Sequence, residues 1–259
     1  MMAIPNIKPY FLKIGPIELR WYGLAYILGM TLGILALKTW CKKQLAMTTD
    51  DLINFASYMM IGILLGGRIG YILFYDLRYY MHTPSELIAI WHGGMSFHGG
   101  AIGALLALWI FATTHKINPW RLADGLAAVS PIGVGLGRLA NFVNHELYGR
   151  ITTQPWGIIF PNGGPLPRHP SQLYEAIFEG LVLGCILYPL LRANKLRPGQ
   201  ILSLALILYG IARFTIEFFR EPDPQVGLLF LHLSLGQYLC VTMSIIGALL
   251  FLYTHKKSV

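Results

Sequence analysis

The sequence predicts an all-α integral membrane protein of about seven transmembrane helices, with a loop region on its outer face. Three observations carry this. Mean hydropathy is +0.55. Hydrophobic residues make up 55% of the chain and charged ones 12%, about half the charge of an ordinary soluble domain. Apolar runs close to the ~20 residues needed to cross a bilayer recur along the whole chain. A core of 259 residues cannot hide that much apolar surface from water, so lipid is the solvent.

In order, the runs place spans at 20–38, 53–75, 95–114, 122–139, 173–191, 201–219 and 236–253. The first is followed by Cys41, Lys42 and Lys43 rather than by a small-residue cleavage site, so no cleavable signal peptide is expected. The stretch 93–103, GGMSFHGGAIG, opens the third span with glycines that admit close approach of backbone, helix or ligand. The polar connection 140–172 carries Pro155, Pro161, Pro165, Pro167 and Pro170 and reads as a structured non-helical segment beside the membrane. Pro170 suits the start of the fifth span. The last span has no interior charge. The chain reads as a single polytopic membrane domain over 1–259, without tandem repeats.

The net charge is +8, but the basic residues are scattered through short loops and form no patch, which argues against nucleic acid. They follow the cytoplasmic bias of membrane loops instead. Lys38, Lys42, Lys43, Lys116, Arg121, Arg192, Lys195 and Arg197 gather on one side together with the C-terminal lysines. The smaller set on the other side is Lys8, Lys13, Arg20, Arg78, Arg150, Arg168 and Arg220, three of the seven in the N-terminal arm. This predicts an outer N-terminus and a cytoplasmic C-terminus. Cys41, Cys185 and Cys240 are far apart, form no CxxC pair and read as small apolar fillers.

With that topology the polar residues inside the spans sort to one leaflet. Arg68, Arg138 and Arg213 fall late in outward-running helices; Tyr22, His98 and Glu175 fall early in inward-running ones. Ionisable groups at membrane depth are costly and mark function, so one polar site opening to the outer leaflet is expected. The run GRLANFVNHELYGR at 137–150 concentrates these groups.

The arginines point to an anionic substrate, because the planar guanidinium fork matches phosphate oxygens. A phospholipid head group is the abundant anion at that depth. Pairing with Glu146, Glu175, Glu179 or Glu217 is the structural alternative. Tyr209, Arg213 and Glu217 are spaced by four and share a helix face, so Glu217 can hold Arg213; Arg220 reads as an interfacial anchor. A neutral His98 at the start of its helix suits a general base, with packing as the plainer alternative. His92, His145 and His169 are weaker loop candidates. In LPRHPSQLYE at 166–175, Ser171, Gln172 and Tyr174 can cap a helix or touch substrate. GGRIG at 66–70 looks like a nucleotide loop but sits inside an apolar span without the strand it needs. No histidines or carboxylates have metal-ligand spacing, and neither metal nor cofactor is expected.

Together these segments resemble the prolipoprotein diacylglyceryl transferases of bacterial inner membranes. The resemblance rests on RWYGLAY at 20–26, GGRIGYILFY at 66–75, GGMSFHGG at 93–100, the 137–150 run, LPRHPSQLYE, and YGIARFTIEFFREPD at 209–223. In the family a glycine often stands where this chain has Ala140 and His145. The resemblance implies an inner-membrane enzyme that moves the diacylglyceryl group of phosphatidylglycerol onto the lipobox cysteine thiol of a preprolipoprotein, releasing glycerol phosphate. It also implies functional roles for Tyr22, His98, Arg138, Asn141, Asn144, Glu146, Gly149, Tyr209, Arg213 and Glu217.

The residues fit that reaction. Arg138 and Arg213 would hold the phosphate, with Arg68 as a further contact. A thiol of pKa near 8.5 must lose its proton before it attacks, and His98 is the favoured base, with Glu146 or Glu217 as competitors. A transporter or channel for anionic lipids or solutes is the rival reading. It would need a polar route through both leaflets, and the inner halves of the spans are nearly bare of charge. A non-catalytic lipid binder is the third.

Overall fold

The computed structural model describes residues 2–5, 7–15, 17–89, 93–221 and 229–256. Among them, six helices are long and apolar enough to cross a membrane: α1 (Trp21–Gln44), α2 (Thr49–Tyr75), α5 (Pro119–Val143), the continuous helix Ser171–Ala193, α8 (Gln200–Glu217) and α9 (Leu235–Lys256). The third predicted span is the shorter apolar helix α4 (Phe97–Thr114). Side chains such as Phe74 and Leu105 are 81% and 67% exposed, as lipid-facing residues of an integral membrane protein are.

The helices differ from expectation at their ends. Helix α1 runs on to Gln44 and carries Lys42 and Lys43 in its last turn, where cations suit the helix dipole. Helix α5 starts at Pro119, behind the Asn118 side chain, which accepts from the Trp120 and Arg121 amides at 2.9 and 3.2 Å. It continues to Val143, so residues 140–143 are helical rather than loop. Small β elements were not foreseen. Strands β2 (Tyr10–Ile14) and β3 (Ile17–Arg20) form an antiparallel hairpin, and β1 (Met2–Ala3) pairs in parallel with β4 (Ile158–Ile159).

The chain divides into two compact units, Lys38–Ala123 and Met1–Leu37 with Asp124–Val259. The first is organised by α2 and α4. A capping box between Thr48 and Asp51 starts α2 and satisfies amide groups that open helix ends leave bare. Ser96 caps α4. The two helices meet along small residues four apart, Gly62, Gly66 and Gly70 against Gly99, Gly103 and Ala107. A Cβ on Gly62 would lie 2.7 Å from that of Ala107, and one on Gly70 would lie 2.8 Å from the Gly99 Cα. Lipid tails supply no hydrophobic drive between helices, so backbone approach and dispersion hold them.

In the second unit α5 packs on the fifth span, which is α6 (Ser171–Glu175), a π-helical stretch Ala176–Val182, and α7 (Leu183–Ala193). Contact is backbone to backbone: a Cβ on Gly180 would lie 2.7 Å from the Gly135 Cα. Helix α8 starts at the fully buried Asp124, whose carboxylate accepts from the Gly199 and Leu202 amides at 2.8 and 2.9 Å. This is a helix N-cap supplied from another element. Helix α9 follows α8 closely, with Gly247 against the Ser203 carbonyl.

The glycine seam makes a direct prediction. Gly103→Leu should overpack the α2–α4 contact at a cost of about 1–3 kcal/mol. Gly23→Leu, where a Cβ has open space, should change stability by less than about 0.5 kcal/mol. Thermal unfolding of the two variants in one detergent checks this; equal midpoints would contradict the seam.

Candidate active site

The signature run begins inside a helix and ends in a tightly fastened loop. Arg138 and Asn141 lie on the last turns of α5; the chain then turns through His145 and Leu147, both at positive φ (58° and 54°). Buried Asn141 donates to the Tyr22 hydroxyl, which in turn donates to Glu146 Oε2 at 2.9 Å. Backbone bonds hold the turn: the Glu146 amide donates to the Asn141 carbonyl at 3.0 Å. From α6, the Gln172 side chain donates to the Glu146 carbonyl at 2.6 Å and the Ser171 hydroxyl to that of Leu147 at 3.0 Å. Ser171 and Gln172 therefore fix the loop that carries Glu146. Asn144 stands at the exit of α5, its amide bonded to the Ala140 carbonyl.

Beside this chain of bonds lies a cluster of three arginines and three glutamates. Glu175 is fully buried. Its Oε1 lies 2.8 Å from Arg213 Nη1 and 3.5 Å from Arg220 Nη1, and its Oε2 lies 3.2 Å from Arg138 Nε. Glu179, also fully buried, faces Arg138 at 3.5 Å and Arg213 at 3.9 Å. Glu217 pairs with Arg213 at 2.6 Å, one helical turn away, and accepts from Ser234 Oγ at 3.0 Å. The arginine side chains keep 13–19% of their surface exposed. The predicted face of α8 is thus present in Arg213 and Glu217, and Tyr209 on the same helix interacts with Arg138. Arg220, expected to be an interfacial anchor, belongs to the cluster instead, because the chain turns back after α8 and returns its guanidinium to Glu175 and Glu217. The signal for Glu175 and Glu179 was their spacing of four beside Tyr174; which arginine each would meet had no signal.

Other predicted residues have different surroundings. In the unit 38–123, Arg68 is 5% exposed. Its five N–H groups go to five backbone carbonyls, those of Glu86, Leu87, Ala89, Gly93 and Gly94, and its guanidinium lies over the Tyr80 ring, 5.0 Å from the centroid. A guanidinium has five donors, so the fork is filled by the loop it holds. His98 occupies the first turn of α4 and is exposed. His92 lies outside the described residues.

Gly149 is buried at an isolated antiparallel bridge to Arg220. Its amide donates to the His169 carbonyl at 2.9 Å, and a Cβ there would lie 2.7 Å from His169 Cβ. It permits backbone approach. His169 shares a bond with the Tyr174 hydroxyl at 3.1 Å, which accepts from Trp156 Nε1 at 2.7 Å. His145 Nε2 accepts from the Ile7 amide at 3.1 Å. Burial pushes this imidazole below its ordinary pKa, which keeps the nitrogen free of a proton as that bond requires. Cys41 and Cys240 are buried, and Cys185 is exposed. Among the described residues no group of three histidine, cysteine or carboxylate side chains is placed to hold a metal.

Guanidinium groups spread over shared carboxylates, partly open and beside a Tyr–Asn–Glu relay, make a site that can grip phosphate oxygens and stabilise charge as it develops there. Comparisons with known proteins point to one family. The family model described as prolipoprotein diacylglyceryl transferase matches residues 9–253. The phosphatidylglycerol–prolipoprotein diacylglyceryl transferase of Desulfotalea psychrophila is 47% identical over 262 residues, covering 98% of this chain and 96% of that protein. Those of Geobacter sulfurreducens and Pasteurella multocida are each 48% identical over 259 residues, covering 100% and 99% of this chain and 99% and 95% of theirs. The chain belongs to the prolipoprotein diacylglyceryl transferase family.

Proposed function

We propose that this transferase moves the diacylglyceryl group of phosphatidylglycerol onto the thiol of a lipobox cysteine in a preprolipoprotein, the first step of lipoprotein maturation. The observation that carries the reading is the pair Arg138 and Arg213, bridged by Glu175 and partly open. In the reaction a sulfur–carbon bond forms at the glyceryl carbon while the bond from that carbon to the phosphate oxygen breaks. Glycerol phosphate leaves with the added negative charge, which the two arginines offset as it develops. The thiol proton passes to a base, with His98 first in line on the sequence argument. Glu217 is committed to Arg213 and Ser234, which favours an orienting role for it. Glu146 receives the Tyr22 hydroxyl. Asn141, Asn144, Tyr22 and Tyr209 are assigned to substrate placement, and Gly149 to the backbone approach that shapes the loop. The filled donors of Arg68 favour support of residues 86–89 and 93–94 over contact with lipid.

The reading includes placement. The site opens to the outer leaflet of the bacterial cytoplasmic membrane, with the N-terminus outside and the C-terminus in the cytoplasm. Both substrates, a lipid and a translocated signal peptide, reach such a site laterally. The test is incubation of the purified protein with phosphatidylglycerol and a lipobox peptide. A thioether-lipidated peptide and free glycerol phosphate are expected. Movement of lipid without either product would establish a transporter instead, and binding alone a lipid receptor.

Lysine cannot reproduce the guanidinium fork. Arg138→Lys and Arg213→Lys should fold yet lose most transferase activity; near-normal turnover at equal protein level in either would remove its clamp role. The reacting thiol belongs to the substrate, so a variant with Cys41, Cys185 and Cys240 all changed to serine should stay active. Its inactivity as a folded protein would bring back an enzyme thiol. His98→Gln should lower turnover by roughly 10²–10⁴. That defect should shrink as pH rises from about 7 to 9.5, because more substrate thiol ionises unaided. A ratio to wild type that stays flat with pH would reassign His98 to positioning and make Glu146 the next base to test.

A further inference from the structure

The two carboxylates that tie the arginines together have no assigned part in the chemistry. We propose that Glu175 and Glu179 determine the charge specificity of the site: they tune it to bind a singly charged phosphodiester and to release the doubly charged phosphomonoester left after transfer. The inference rests on the reading of this site as the phosphatidylglycerol site.

The geometry separates the two kinds of group. Both carboxylates have no exposed side-chain surface, whereas all three arginines retain some. The acids therefore lie behind and the guanidinium groups in front. Among the described residues, Glu175 alone touches all of Arg138, Arg213 and Arg220. Glu179 and Glu217 complete the cluster. Among the described residues the cluster sets three acidic side chains against three guanidinium groups.

That balance matters for turnover. A phosphodiester carries one negative charge, and a phosphomonoester carries about −1.5 to −2 near pH 7. Arginines alone, in a site of low dielectric, would favour the more highly charged product by a wide margin, and the enzyme would be trapped by it. Buried acids offset that attraction, so the larger cost of desolvating the doubly charged group decides in favour of the diester, while the forks stay in place to recognise phosphate geometry. Glu179 is carried on the π-helical stretch Ala176–Val182, a conformation that appears mostly as single turns within α-helices and frequently at functional sites. Its presence here is consistent with a side chain placed for function.

Product inhibition tests this on the full-length protein reconstituted in phosphatidylglycerol nanodiscs. The probes are glycerol phosphate, a monoester, and glycerophosphoglycerol, its water-soluble diester counterpart. For wild type the diester should inhibit at the lower concentration; the reverse order overturns the inference without any variant. Glu175→Gln and Glu179→Gln keep size and an acceptor oxygen but remove charge. Each should strengthen inhibition by glycerol phosphate about tenfold or more, a gain of affinity that loss of structure cannot produce. Glu175→Asp and Glu179→Asp, which keep the charge, should stay within a few-fold of wild type. Folded Gln variants with unchanged or weaker product inhibition would overturn the proposal while the transferase reading stands. A wild-type protein that makes no lipidated peptide and responds to neither probe would overturn that reading, and this inference with it.

Discussion

Placing several arginines within membrane-spanning helices demands compensation, and here one buried carboxylate is shared by three of them. Glu175 meets Arg138 from α5, Arg213 from α8 and Arg220 just beyond α8. Each ion taken from water into a low-dielectric interior costs several kcal/mol, and only close pairing with good geometry returns it. The consequence is structural as well as electrostatic. Helix α5, the fifth span and α8 must converge where their charged groups meet, so the same contacts that make the cluster tolerable also set the spacing of the forks that would hold a phosphate. Removing Glu175 leaves its three guanidinium groups to share Glu179 and Glu217, and taking one partner out of a buried ionic group is the costly way to break it.

Around the cluster, neutral contacts do the positioning. Glycines let helices touch through backbone where lipid gives no reason to associate: Gly180 against Gly135, and Gly62 against Gly103 and Ala107. Backbone carbonyls take up otherwise expensive donors. Arg68 is the clearest case, with every N–H group spent on the carbonyls of Glu86, Leu87, Ala89, Gly93 and Gly94. The loop after α5 is fixed in the same way by Ser171 and Gln172, so Glu146 and its Tyr22 and Asn141 partners rest on a rigid support.

Much of this was legible in the sequence, and the rest has identifiable physical reasons for being hidden. Spans show in hydropathy because lipid acts on every residue of a segment. Arg138 and Arg213 show because charge inside an apolar run is conspicuous. Tyr209, Arg213 and Glu217 show through helical spacing. Partnerships between distant segments leave no such periodic mark, so the alternatives among Glu146, Glu175, Glu179 and Glu217 stayed open, and Arg220 was read as an anchor. Arg68 was read as a phosphate contact because its five carbonyl partners lie 18–26 positions away, and main-chain acceptors carry no sequence signature. The hairpin of β2 and β3 did have a signal, Gly15–Pro16 between two alternating runs, which the membrane pattern overshadowed; Gly15 takes the positive φ that its turn needs. The π-helical stretch within the fifth span has no counterpart in composition.

If the arginines gathered by Glu175 hold the phosphate of phosphatidylglycerol, as proposed above, a reactive group on that lipid's head must lie beside them. The most direct measurement is photo-cross-linking with a phosphatidylglycerol analogue that carries a small diazirine on its glycerol head group, followed by peptide mapping of the adducts. The account predicts adducts on segments bordering Arg138, Glu175 and Arg213, diminished by excess unlabelled phosphatidylglycerol. Competable adducts confined to segments remote from that cluster would contradict it.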